Sequence, residues 1–139
     1  MKRILGTVLA CATLAACGGP DPSPRPTAPT TAPSATVGLT DCGTFNPPQG
    51  DGLPESAARC LIEAVRAGRP AQLKVTRLTV EGDPIPVTYA AGADGRVEIT
   101  TDSRKDGFGT QVVTRRTCTD PVAAPELEFA HCSEPTPIE

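Results

Sequence analysis

The chain has 139 residues, a formal net charge of −3, one Tyr, three Phe and no Trp. An acidic chain this poor in aromatic rings offers neither a basic field for phosphates nor a platform for stacked bases, so a nucleic-acid partner is set aside. Six cysteines stand against a single histidine, His131.

Lys2 and Arg3 precede a short apolar run from Ile4 to Leu14, closed by Leu14-Ala15-Ala16-Cys17. The run is too short to cross a bilayer core of about 30 Å, which takes roughly 20 residues. A basic flank, a short apolar stretch and small residues form the pattern of a secretory signal. The last four residues resemble the lipobox of bacterial lipoproteins. That resemblance implies a signal peptide over residues 1–16, removed together with Cys11. It also makes Cys17 the first mature residue, carrying a thioether-linked diacylglycerol and optionally an N-acyl group; no other cofactor is expected. At about 0.8 kcal/mol per buried methylene, two or more acyl chains hold a protein stably on a membrane. The implied location is the extracytoplasmic face of the cell membrane, or the outer membrane in a Gram-negative cell. Loss of Lys2 and Arg3 leaves 11 basic against 16 acidic side chains, a mature net charge of −5.

Residues 17–37 hold the lipidated cysteine and a Pro/Thr-rich stretch with prolines at 20, 22, 24, 26, 29 and 33. With almost nothing apolar to bury, it reads as an extended, disordered spacer. Twenty residues in polyproline geometry reach up to roughly 60 Å.

Residues 38–139 read as a single domain of ordinary size. Its four cysteines, Cys42, Cys60, Cys118 and Cys132, point to two disulfides in an oxidising compartment. Zinc is disfavoured, because no Cys-x-x-Cys pair is present and His131 is alone. Three pairings are open on sequence alone; the short-range set Cys42–Cys60 and Cys118–Cys132 is preferred.

Pro54 opens a predicted helix and Gly68 closes it, with Pro70 just beyond. Ala57, Cys60, Leu61, Ala64 and Val65 fall on one face, and Arg59, Glu63 and Arg66 on the other. After Pro70 the apolar period becomes two. Leu73 and Val75 alternate, then Leu78 and Val80 do so out of phase, which predicts a bulge near Thr76. Ile85, Val87 and Tyr89 form the next strand and Val97, Ile99 and Thr101 another, with Asp94-Gly95 as a hairpin turn between them. A fourth strand is expected over Thr110 to Cys118, and a short fifth carries Leu127 and Phe129. The expected fold is α+β: one N-terminal helix packed on a four- to five-stranded antiparallel meander.

Alternate turns of a meander lie at one end of the sheet. The turn Glu81-Gly82-Asp83-Pro84 and the loop from Asp102 to Gly109 therefore share an end, about 10 Å apart. Glu81, Asp83, Asp102, Arg104, Lys105 and Asp106 would form a mixed-charge rim there. Turn chemistry alone accounts for Gly, Asp and Pro at such positions, and a partner-binding rim is the functional alternative.

The segments Glu81-Gly82-Asp83-Pro84-Ile85 and Asp102-x-Arg104-x-Asp106-x-Phe108-Gly109 resemble a domain of unknown function found in lipoproteins of Gram-positive bacteria. The likeness spans roughly residues 55–132, with a helix before the first strand and a terminal cysteine pair matching Cys118 and Cys132. It implies the fold and the lipoprotein context without an activity. Cys42 and Cys60 are additions to that pattern, which makes their mutual pairing reasonable.

No catalytic constellation accompanies His131, so an enzyme is not expected. The stretch Asp102 to Asp106 lacks the closing glutamate of a calcium loop, and no metal is expected there. The expected function is a membrane-anchored interaction module with a cell-envelope protein as partner. An inhibitor of an extracytoplasmic enzyme and a small-ligand binder are the alternatives.

Overall fold

The computed structural model describes residues 38–123 and 126–138. The expected signal segment 1–16, Cys17 and the linker 17–37 lie outside the described residues.

The described chain runs β1 (Thr40–Phe45), α1 (Glu55–Arg66), β2 (Ala71–Leu78), β3 (Pro84–Ala91), β4 (Val97–Asp102), β5 (Val113–Ala123), β6 (Leu127–Cys132) and β7 (Thr136–Pro137). One sheet holds all the strands in the order β1-β2-β3-β4-β5-β6, with β7 also pairing with β5. The expected meander with an N-terminal helix is therefore wrong in two respects. The described residues are mostly β, and the single helix among them follows a first strand that lies parallel to β2, which makes the sheet mixed. That strand escapes detection because its sequence, TDCGTF, has no apolar alternation: only Cys42 is buried. Its pairing shifts register between Asp41 and Thr44, where Gly43 takes a φ of +100° and its N–H donates to Asp41 Oδ1. A conformation that favours glycine thus sits at the edge of the sheet, and it breaks the run of groups another strand would pair with.

The helix forms where its sequence directs. Pro54 precedes it, Glu55 and Arg66 match the two ends of its dipole, and Ala57, Ala58, Leu61, Ile62 and Ala64 are buried. At its end Gly68 adopts a φ of +59°. Gly68 N–H then donates to Val65 O and Arg69 N–H to Ala64 O, closing a Schellman motif. The helix packs on β1, β2, β3 and β5.

The core lies on one face of the sheet. Cross-strand partners Leu73 and Tyr89, Val75 and Val87, Ala91 and Val97, and Tyr89 and Ile99 stand on that face, with Cys118 beside Val97. The bulge expected near Thr76 is absent. β2 pairs with β3 without interruption from Ala71↔Ala91 to Leu78↔Pro84, so Leu78 and Val80 end exposed rather than shifted into the core.

The fourth expected strand begins at Val113 and runs on to Ala123, changing partner on the way. Val113 to Cys118 pair with β4, and Cys118 to Ala123 pair with β6. Asp120, with a φ of +57°, lies in the second half, a conformation that Asp tolerates better than most residues. The sheet rolls up as a result. β2 and β6 are four strands apart, about 19 Å in a flat sheet. Yet Arg77 Nη1 lies 3.0 Å from Glu126 Oε2 at the start of β6, and Arg77 Nη2 donates to Tyr89 Oη at 3.1 Å. Phe129 of β6 stacks on Tyr89, ring centroids 6.2 Å apart.

Two disulfides form, Cys42–Cys60 and Cys118–Cys132. The first ties β1 to α1, and the second joins directly paired residues of β5 and β6.

Candidate functional site

The sheet topology brings the two rim loops together. The β2–β3 turn closes by Thr79 N–H to Asp83 O (2.9 Å) and Asp83 N–H to Thr79 Oγ1 (3.0 Å). The β4–β5 loop closes by Ser103 N–H to Val112 O at 3.0 Å. Between them, Gly107 N–H donates to Asp83 Oδ2 at 2.8 Å. A Cβ on Gly107 would stand 3.2 Å from that same oxygen, so the close approach suits a glycine.

Each predicted rim residue has a distinct place. Glu81 and Lys105 are exposed. Asp83, half-buried, makes the inter-loop bond. Asp106 Oδ1 accepts from Phe108 N–H (3.0 Å) and Gly109 N–H (2.8 Å), and Gln111 Nε2 donates to Asp106 O at 3.2 Å. A Cβ on Gly109 would collide with the Asp106 carboxylate. Three of the four carboxylates thus organise the loops rather than stand free, since Asp102 holds Arg104.

Arg104 grips Asp102 through Nε to Oδ1 at 3.0 Å and Nη2 to Oδ2 at 2.7 Å, while its own N–H donates to Oδ1 at 3.1 Å. These bonds, the guanidinium ones first, hold the Asp102 carboxyl down to about 2. A depressed carboxyl stabilises the folded loop above its ordinary value of 3.8 and loses that contribution as the pH falls through about 2. Arg104→Ala is expected to return the midpoint toward 3.8. A carbon-detected NMR titration of the Asp102 carboxyl checks this; an unmoved midpoint would show that Arg104 is not the cause.

Sequence reasoning missed three contributors. Gln49, in the β1–α1 loop, donates through Nε2 to Thr79 O (2.9 Å) and Val80 O (2.8 Å), crossing thirty residues of sequence that carry no signal of the contact. Val80 and Phe108 stand on the turn and the loop at 87% and 83% exposure. Beneath the rim, a groove of about 250 Å³ is lined by residues including Pro47, Leu53, Val75, Arg77, Leu78 and Glu126.

At the opposite end of the sheet, Thr40 N–H donates to Pro70 O at 2.9 Å and Thr40 pairs with Ala71. The described chain therefore joins the sheet at the end away from the rim. His131 is exposed on β6, paired with Thr119. Among the described residues no helix is long and apolar enough to cross a membrane, and no cluster of three or more His, Cys, Asp or Glu is placed to hold a metal ion.

These features define a small, doubly disulfide-bonded, curled β-sheet with one crossover helix and a braced loop end. No protein-family model matches the chain, and no curated protein or solved structure is detectably similar to it.

Proposed function

We propose that this protein is a lipid-anchored extracytoplasmic module that presents the loop end of its sheet to a cell-envelope protein. The address rests on Leu14-Ala15-Ala16-Cys17 and the basic, apolar stretch before it. Two disulfides agree with an oxidising compartment.

The observation that carries the reading is the polarity of the domain. The chain arrives at Thr40, and the rim lies beyond the far end of β2, eight residues or about 26 Å away. A tether arriving at residue 38 meets the domain at the end away from its braced loops. Recognition surfaces are commonly loops held by a rigid scaffold, and hydrogen bonds link three loops here.

The competing readings have less support. Leu61 of the helix and Leu73 of the sheet are both fully buried, so side chains fill the space between helix and sheet, leaving no room there for a small ligand. A substrate-like inhibitor loop offers its backbone to an enzyme cleft, whereas Phe108 and Gly109 have committed their N–H groups to Asp106.

Charge reversal at Asp83 and Asp106 is expected to abolish partner recovery in an envelope crosslinking pull-down with the lipidated protein. Asp83→Asn keeps the acceptor for Gly107 and separates charge from loop geometry. Unchanged recovery after reversal would sink the proposal.

A further inference from the structure

We infer that Val80 and Phe108 together anchor this surface, and that their partner is a protein offering an apolar socket bordered by lysine or arginine side chains. The inference rests on the interaction-module reading above. Among the described residues these two are the most exposed of the large apolar side chains, and both stand at the rim. Val80 lies three residues before Asp83 and Phe108 directly follows Gly107, so the Asp83–Gly107 bond joins the segments that carry them.

Their backbones are fixed. Gln49 Nε2 holds Val80 O, and Asp106 Oδ1 holds the Phe108 and Gly109 N–H groups. An apolar pair on braced loops loses little conformational freedom on binding, and buried aromatic anchors dominate the energetics of protein interfaces. Glu81, Asp83, Asp102 and Asp106 against Arg104 and Lys105 give the rim a formal charge of −2. This charge selects a basic border around the socket. It also opposes an anionic lipid surface, and it opposes a second copy, which would bring like charge against like.

The test places a photocrosslinking residue at the exposed position 110 (Thr110→p-benzoylphenylalanine), which leaves the rim charge intact, in the full lipidated chain in its own cells. Adducts are identified by mass spectrometry. The expected result is a protein adduct at an apolar stretch flanked by Lys or Arg, reduced at least tenfold by Phe108→Ser or by Val80→Ser. Leu39→Ser, an exposed apolar residue near the tether end, should leave the yield unchanged. Thermal melts of each variant separate loss of contact from loss of fold. An adduct to lipid or to a second copy overturns the inference, as does an absent adduct or one indifferent to both serine variants. If Asp83→Lys with Asp106→Lys removes the adduct while the serine variants do not, the anchor pair is wrong and the interaction-module reading stands. If neither set changes it, both fall.

Discussion

Leu73→Ala is expected to destabilise the domain by about 3–4 kcal/mol, within the usual range for a buried leucine. Leu73 is fully buried in the first half of β2, pairs with Tyr89 across the ladder and lies on a strand against which α1 packs. Removing its branched end leaves a void walled by a helix and a rolled sheet, which close on it poorly. For a domain of this size the loss lowers Tm by roughly 15–25 °C. Urea melts should show a shifted midpoint with an unchanged m-value, the sign of lost stability rather than altered compactness. Val80→Ala serves as contrast and should stay within about 0.5 kcal/mol, since that side chain is exposed at the rim. A Leu73→Ala loss below 1 kcal/mol would mean that helix and sheet are not packed together as described.

Elements whose side chains alternate against a core were legible in the sequence, and those held by backbone pairing alone were not. The helix announced itself through Ala57, Leu61 and Ala64 on one face and Gly68 at its end. The β3–β4 hairpin did so through Asp94-Gly95, with Gly95 at a φ of +77°. β1 buries one side chain and β7 is two residues containing a proline, so neither leaves a periodic trace. Missing β1 turned a β-α-β crossover into a helix followed by a meander, and that error fixed the wrong fold class. Leu78 and Val80 misled in the opposite direction, because an apolar residue beyond a strand end imitates a register slip.

The rim was half legible for a related reason. Turn chemistry pointed to Asp83 and Asp106, which lie on loops joined by the Asp83–Gly107 bond, yet their carboxylates face backbone N–H groups and brace the loops internally. Charge patterning therefore singled out a cluster of carboxylates and overstated how much free charge it carries, since Asp83, Asp102 and Asp106 are all bonded within the loops. The exposed Phe108 belongs to the Asp102–Gly109 stretch, but only the three-dimensional arrangement separates a solvent-facing aromatic residue from a core one. Gln49 had no sequence signal, because a contact between a loop and a turn thirty residues later depends on the parallel pairing of β1 with β2.

That dependence yields the second large effect. Removing either disulfide as a paired alanine variant should cost about 3 kcal/mol, since the closed loops, with separations of 18 and 14 residues, differ little in entropy. The consequences should differ in place. Cys118–Cys132 reinforces a β5–β6 ladder that already has hydrogen bonds, and the Tyr89–Phe129 stack separately holds β6 against β3. Cys42–Cys60 ties down an edge strand that has β2 as its sheet neighbour, and the loop after that strand carries Gln49. Losing this bond should free β1 and with it the side chain bracing Thr79 and Val80. Hydrogen exchange should therefore accelerate in residues 40–45 and 79–83 of the Cys42→Ala/Cys60→Ala variant, and far less there when Cys118 and Cys132 are replaced. Adduct yield at position 110 should fall in the first variant and persist in the second. Equal acceleration of the rim in both would refute this route from the disulfide to the site, because it would make the rim's order a property of global stability rather than of the strand that reaches it.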